Sequence, residues 1–409
     1  MMTRMLTLST RATTIAPFYV MEMAKRAAEL APQFAAQGRD LIRLNIGEPD
    51  FTAPPSVIAA AHAAMNAGKT NYTHAMGLDE LRQAISQHYA DAYGLNISPA
   101  RIMVTAGASA GLLLACALLI NADDEVLMPD PSYPCNRQFV TSFGGRSTMI
   151  ETTAAQQFQP TAAQIAAHWS PHTKAVLLAS PSNPTGTTIA PDELRAIHTE
   201  ITQRNGALIV DEIYGDLVYT PALHQPSNRQ SALALAGAEH NTIVLSSFSK
   251  YFNMTGWRLG WMVLPEAWVS AAEKLAQNLF ICPSTLAQHA GVACFAPENI
   301  AIFETRKAEF MRRRDYVVQA MREIGFGVSA MPEGAFYVYA DVSHWRINDK
   351  ADSEAFAFAA LEQAGVVLAS SRDFSVHHPR QHIRLSYAAS MDQLEIAMQR
   401  LHGWTATMD

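Results

Sequence analysis

Six short β-type runs separated by helix-length segments occupy the chain from about residue 55 to 280. They are Arg101 to Val104, Glu125 to Met128, Lys174 to Ala179, Ala207 to Val210, Thr242 to Leu245 and Leu259 to Val263. Such alternation predicts an α/β fold, a mostly parallel sheet with helices on both faces. Before it, Met21 to Ala31 has helical spacing and Leu41 to Leu44 reads as a short strand. After Pro283 the chain reads as helical to about Ile324, then gives strand-like segments at Ala335 to Ala340 and His382 to Leu385 with a helix between. At 409 residues the chain exceeds what a single core usually supports. We therefore expect a large domain over 50–285 and a smaller α+β domain from 1–49 together with 286–409. No Gly/Ser linker separates them, so the boundary near 280 to 295 is expected to be a continuous helix or a bend.

Thirty basic against 37 acidic side chains, a net charge of −7, leave no electrostatic footprint for nucleic acid. The longest apolar run, Gly111 to Ile120, falls short of the roughly 18 residues that span a bilayer. Neither nucleic acid nor a membrane is an expected partner. Cys116, Cys135, Cys282 and Cys294 are widely spaced with no C-x-x-C pair, which points away from a disulfide framework and toward a reducing, cytoplasmic setting. His377, His378 and His382 lack a cysteine or carboxylate at ligand spacing, so they read as surface residues and no metal is expected. The N-terminus, with Arg4 and Arg11 and no acid before Glu22, faintly resembles a transit peptide; it reads better as an extended arm packed on a partner subunit.

In open α/β sheets ligands bind beyond the carboxyl ends of the strands, so the residues just after each β run are the candidates. Thr105-Ala106-Gly107-Ala108-Ser109-Ala110 opens an apolar helix with small residues. Backbone N–H groups and the Ser109 hydroxyl could there approach a phosphate, the alternative being an ordinary strand-to-helix turn. Asp130-Pro131-Ser132-Tyr133-Pro134 lifts Tyr133 over the cleft, either to stack on a planar heterocycle or as a plain loop tyrosine. Ser182-Asn183-Pro184 holds an amide before a proline whose peptide bond is a candidate for cis. Asp211 ends an apolar strand and needs a cation there, unless it caps the following helix; Tyr214 follows three residues later. Ser247-Phe248-Ser249-Lys250, with Arg258 eight residues on, brackets one of only 7 lysines with phosphate-binding groups. A lysine in a dry site beside a cation has the depressed pKa that imine chemistry requires; the alternative is a solvated surface lysine.

The order and spacing of Asn183, Asp211, Tyr214, Lys250 and Arg258 resemble those of class I/II aminotransferases, enzymes of the aspartate aminotransferase superfamily with the pyridoxal phosphate (PLP) fold type I. The resemblance spans nearly the whole chain and implies a seven-stranded type of sheet in the large domain. It implies that Lys250 carries the PLP imine and then acts as acid and base, that Asp211 binds the pyridine nitrogen, and that Tyr214 and Asn183 bind the ring oxygen. Gly107, Ala108, Ser109, Ser247 and Arg258 would hold the phosphate and Tyr133 the ring. Arg384, in His382-Ile383-Arg384-Leu385-Ser386-Tyr387, matches the arginine that grips the substrate α-carboxylate, and Gly47 a backbone contact to the same group. Tyr72 matches a tyrosine that reaches the phosphate of the neighbouring subunit, which implies a homodimer with shared sites.

The spellings around Gly47, Asn183 and Arg258 look most like the bacterial subgroup that includes prokaryotic aspartate aminotransferases. Aspartate-selective members often carry lysine where this chain has Ser109, and no arginine occurs in Gln277 to Thr285, where other aspartate enzymes place a second one. A neutral or aromatic donor side chain fits better, with Phe18, Tyr19 and Tyr133 as candidate lining. The expected activity is transfer of an amino group from an L-α-amino acid to a 2-oxo acid by a ping-pong route. A PLP-dependent C–S β-lyase is the enzymatic alternative. A PLP-sensing regulatory module is the non-enzymatic one, and the roughly forty residues before Gly47 are too short and insufficiently basic for its usual DNA-binding domain.

Overall fold

The computed structural model describes residues 6–219 and 229–408. Its centre is a seven-stranded sheet built from β2 (Ile102–Thr105), β3 (Glu125–Asp130), β4 (Arg146–Glu151), β5 (Thr173–Ala179), β6 (Ala207–Asp211), β7 (Thr242–Ser247) and β8 (Gly260–Val263), in the order β2-β8-β7-β6-β5-β3-β4. β8 runs antiparallel to both neighbours, while the other pairings are parallel. β6 and β7 are buried along their whole length, so their side chains are apolar on both faces until the polar residues at their ends. Helices cover one face through Leu112, Ala115, Ala272 and Ala276, and the other through Leu194, Ile197 and Ile201.

A second layer of structure stands at the carboxyl edge of this sheet. β1 (Ile42–Arg43) pairs in parallel with β10 (Val366–Val367), joining the N-terminal segment to the C-terminal part. β9 (Tyr337–Asp341), β11 (Ala369–Ser370) and β12 (His382–Ser386) form an antiparallel sheet in the order β11-β12-β9, which places Arg384 opposite Tyr339 and Ala369. Among the described residues no helix is long and apolar enough to cross a membrane.

Several elements differ from the sequence reading. β4 was not among the expected strands, because as an edge strand it carries Arg146, Ser147, Thr148 and Glu151 and lacks an apolar run. The first long helix covers Tyr19–Ala36 and runs through Pro32, since Leu30 and Phe34 are buried against the core and outweigh the missing hydrogen bond. The helical stretch after Pro283 is two helices, Thr285–Ala293 and Pro297–Ile324, because Pro297 starts a new first turn. Thr285–Ala293 packs on the helix Pro55–Asn66. The N-terminal arm is not wholly extended: Thr10–Thr14 forms a helical turn capped by Ser9, and Leu6, Leu8 and Ile15 are exposed. Residues 1–5, with Arg4, lie outside the described residues. His382 is no surface residue either; it stacks on Tyr339 at 4.5 Å, and burial holds its pKa down near 4.

One glycine sets how closely three strand ends meet. Gly260 lies between Thr105 and Ser247 in register, and a Cβ there would stand 2.8 Å from the Ser246 carbonyl oxygen and 2.9 to 3.0 Å from the backbone of Gly107 and Ala108. Those neighbours are backbone and cannot rotate away. Gly260→Ala should therefore lower the unfolding free energy by about 1–3 kcal/mol, the usual cost of overpacking. Urea unfolding measures it, and an unchanged midpoint would show that the strand ends are not so tightly held.

Candidate active site

A cavity of about 320 Å³ lies between the two layers, lined by a dense set of polar groups. Its lining includes Gly47, Ala108, Ser109, Tyr133, Asn183, Asp211, Tyr214, Ser247, Lys250, Arg258 and Arg384, so the structure brings together most of the residues singled out in the sequence. Gly107 adjoins it: its φ of +80° starts the helix Ala108–Leu119, and a Cβ there would stand 2.6 Å from Arg258 Nη2. Tyr72 is not in the cavity; it is 80% exposed, on a loop outside it. Tyr19 is also outside, donating its backbone N–H to Asp373 and accepting from Arg372 through its hydroxyl.

Lys250 sits three residues past the end of β7. Its residue is half-buried, with Nζ pointing inward to donate to the Gly47 carbonyl oxygen at 2.6 Å. Burial, followed by the positive charges of Arg384 and Arg258, lowers its pKa from 10.5 to about 8, against the opposing pull of Glu48 and Asp211. The amine is therefore substantially neutral in mildly alkaline solution, as a nucleophile must be. Between about pH 8 and 10.5 the unfolded chain would bind a proton that the folded one does not, so this group's contribution to stability rises with pH across that window.

Asp211 lies at the end of β6, 7% exposed. Among the described residues its carboxylate accepts one hydrogen bond, from the Ile213 N–H, and burial raises its pKa to about 6 despite Ile213 and Lys250. A carboxylate in that position is incomplete without a protonated partner. Asn183 and Arg384 are joined, Arg384 Nη1 donating to Asn183 Oδ1 at 2.9 Å, and the Asn183–Pro184 bond is cis. The second Arg384 nitrogen, Nη2, donates to the Asn45 carbonyl, while Nε is buried and unpartnered. The guanidinium is sandwiched between the Tyr337 and Phe374 rings at 4.5 and 4.6 Å. It is 2% exposed and, among the described residues, its hydrogen bonds go to Asn183 and Asn45 and none to a carboxylate.

At the opposite end, the N-terminus of the helix Ala108–Leu119 meets Ser247, Ser249 and Arg258. Ser247 Oγ donates to the Leu259 carbonyl and receives the Ser249 N–H, fixing the loop as a serine-lined cradle. Helix-end N–H groups, hydroxyls and a guanidinium are the donor set for a phosphate dianion. Together with the partnerless Asp211 and the low-pKa amine, these residues fit PLP: a phosphate end, an acid for the ring nitrogen and an amine for the aldehyde.

Sequence reasoning missed some residues of the site. Tyr337 hydrogen-bonds Tyr214, hydroxyl to hydroxyl, at 2.8 Å, and its ring stands where a Cβ on Gly47 would be. Glu48 accepts from Thr255 at the rim, and Val20, Met21 and Ile46 contribute apolar wall. Tyr337 falls inside a strand segment the sequence did mark, but nothing local announces which face of that strand meets the cavity.

The amine can be tested directly. The rate of imine formation between the cofactor-free protein and a small aromatic aldehyde should titrate with a midpoint near pH 8, and Arg384→Gln should move that midpoint upward. A midpoint above 10 would mean that Lys250 is solvated.

Comparison with known proteins agrees with this geometry. The family described as aminotransferase class I and II matches residues 39–401. The chain is 37% identical over 390 residues to a valine–pyruvate aminotransferase of Mycobacterium tuberculosis, covering 95% of this chain and 96% of that one. It is 34% identical to an aspartate aminotransferase of Geobacillus stearothermophilus, over 93% of this chain and 98% of the other. The crystal structure of an aminotransferase from Mycobacterium tuberculosis superposes with a TM-score of 0.91 at 36% identity, over 99% of this chain and 100% of that one. The chain belongs to the class I and II aminotransferases, PLP-dependent enzymes of fold type I.

Proposed function

We propose that this aminotransferase takes the amino group of a neutral L-α-amino acid, aliphatic or aromatic, and delivers it to a 2-oxo acid in two half-reactions at one site. The observation that carries the reading is the distribution of positive charge. Among the described residues the cavity's cationic lining is Lys250, Arg258 and Arg384. With Lys250 as nucleophile, Arg258 at the phosphate cradle and Arg384 for the α-carboxylate, none remains for a side-chain carboxylate. Phe18, Val20, Met21, Ile46 and Tyr133 offer apolar surface instead. The relative named for valine and pyruvate fits this reading, and the one named for aspartate marks the alternative to be tested.

When bound, PLP supplies the electron sink that stabilises negative charge at the substrate α-carbon. In our reading Asp211 holds the proton on the ring nitrogen, and Tyr214 and Asn183 hold the ring oxygen. Tyr133 would face the ring, and the backbone of Gly107 and Ala108, with Ser109, Ser247 and Arg258, would hold the phosphate. Arg384, with Asn183 and Gly47 beside it, orients the donor by its carboxylate. Lys250 would take the proton from the substrate α-carbon and return it on the far side of the amino nitrogen, a 1,3 shift that its lowered pKa suits near pH 8. In the present geometry the Lys250 amine donates to the Gly47 carbonyl oxygen.

The same reading takes 50–285 as the large PLP-binding domain and 1–49 with 286–409 as the small one. It takes the working unit as a homodimer in the cytoplasm, in which exposed Tyr72 reaches the neighbouring site. The exposed Leu279 and Ile281 and the unpaired state of all four cysteines support those two points. The relatives described above are named as aminotransferases, which supports transfer over the C–S lyase and an enzyme over the regulatory module.

Incubating the PLP-loaded protein with single amino acids and either pyruvate or 2-oxoglutarate tests the proposal. Valine, leucine or phenylalanine should yield the matching 2-oxo acid faster than aspartate yields oxaloacetate. A strict preference for aspartate would overturn the donor reading; pyruvate and ammonia released without an acceptor would indicate the lyase. Arg384→Ala should cost about 2–5 kcal/mol, roughly thirty-fold to several thousand-fold in kcat/KM, the range for stranding a desolvated carboxylate. An unchanged kcat/KM would make Arg384 structural.

A further inference from the structure

The helix Tyr19–Ala36 has no side-chain cap of its own: Phe18, at its N-cap, offers no acceptor. Its first N–H groups are instead met from the far end of the chain. Asp373, 4% exposed, accepts the Tyr19 N–H at Oδ1 (2.9 Å) and the Val20 N–H at Oδ2 (2.7 Å). A carboxylate at a helix start satisfies two orphan donors and complements the positive end of the helix dipole.

Asp373 lies in the segment between β11 and β12, and that segment is fastened on two further sides. Asp130, at the end of β3, accepts the Val376 and His377 N–H groups and the Ser375 hydroxyl. Arg137 donates to the Asp373 carbonyl at 2.6 Å, and the Ser132 N–H to that of Phe374 at 2.9 Å. Phe374 lies against the Arg384 guanidinium, and with Val20, Ala369 and Phe18 it forms a small apolar cluster. Phe18 meets Tyr133 edge to face, at 6.2 Å and 88°. The wall of the cavity made by Phe18, Val20 and Tyr133 and the arginine at its base are thus held through one segment.

We propose that Asp373 is a positioning residue for donor selection: by capping the helix Tyr19–Ala36 from the β11–β12 segment, it fixes the Phe18–Val20 wall at a set distance from Arg384, and so sets which apolar side chains the site accepts. The inference deepens the neutral-donor reading above and rests on it. Asp373 is not part of the cavity lining. Its loss therefore weakens the fit of branched donors while the proton transfer at Lys250 continues.

Asp373→Asn removes the charge and one of the two acceptors. Hydrogen exchange at the Tyr19 and Val20 amides should quicken about two- to thirty-fold, the range for losing a helix cap. The KM for valine should rise within the same range, with kcat within about twofold and a smaller change in KM for alanine. Phe18→Ala should reproduce the valine effect, and the double variant should be no worse than Phe18→Ala alone, because both act through one wall. Unchanged exchange, quickened exchange with an unchanged valine KM, or effects that multiply in the double variant would each overturn the proposal. The exchange measurement needs no donor, so a wild type that used aspartate alone would refute the neutral-donor reading while leaving the capping role of Asp373 separately decided.

Discussion

A buried charge without an ion-pair partner in contact is among the costliest things a folded chain can hold, and among the described residues two of them, Asp211 and Arg384, face one cavity. Asp211 is shut into a strand end with a single N–H for company, and Arg384 is enclosed between two aromatic rings with one nitrogen unsatisfied. Either would cost several kcal/mol if nothing arrived to pair with it. Their compensation has to come from outside the chain, and its chemistry is dictated by what they lack: a protonated nitrogen for Asp211, a carboxylate for Arg384. Lys250 feels the same enclosure as a lowered pKa. An amine of lowered pKa, a carboxylate awaiting a cation and a guanidinium awaiting an anion follow from one enclosed space.

The fold is what keeps that space dry. β6 and β7 deliver Asp211 and Lys250 at the carboxyl edge of the central sheet, while β12 brings Arg384 down from the opposite layer. The antiparallel β8 lets Gly260 slip between Thr105 and Ser247, so the serine-lined cradle closes at backbone distance. The hydrogen bond from Lys250 to Gly47 then ties the large sheet to the N-terminal loop.

The parallel core was legible in the sequence because its strands are short, apolar and bounded by turn residues, and the residues just past them announce themselves by being polar after an apolar run. Asp211 and Lys250 are of that kind. Arg384 is not, since one arginine on a strand could face anywhere; only the family pattern picked it out. β4 escaped because an edge strand needs no apolar run, and Pro32 masked the true length of the first long helix. Asp373 was invisible for a deeper reason: it caps a helix more than 350 positions away, and no local pattern records a bond of that span.

The account stands on one lysine being the cofactor's anchor. Reducing the PLP-loaded protein with borohydride, digesting it and mapping the modified peptide would read that anchor directly. The account predicts a phosphopyridoxyl group on the peptide containing Lys250 and no other. Attachment to a different lysine, or none after loading with PLP, would contradict it.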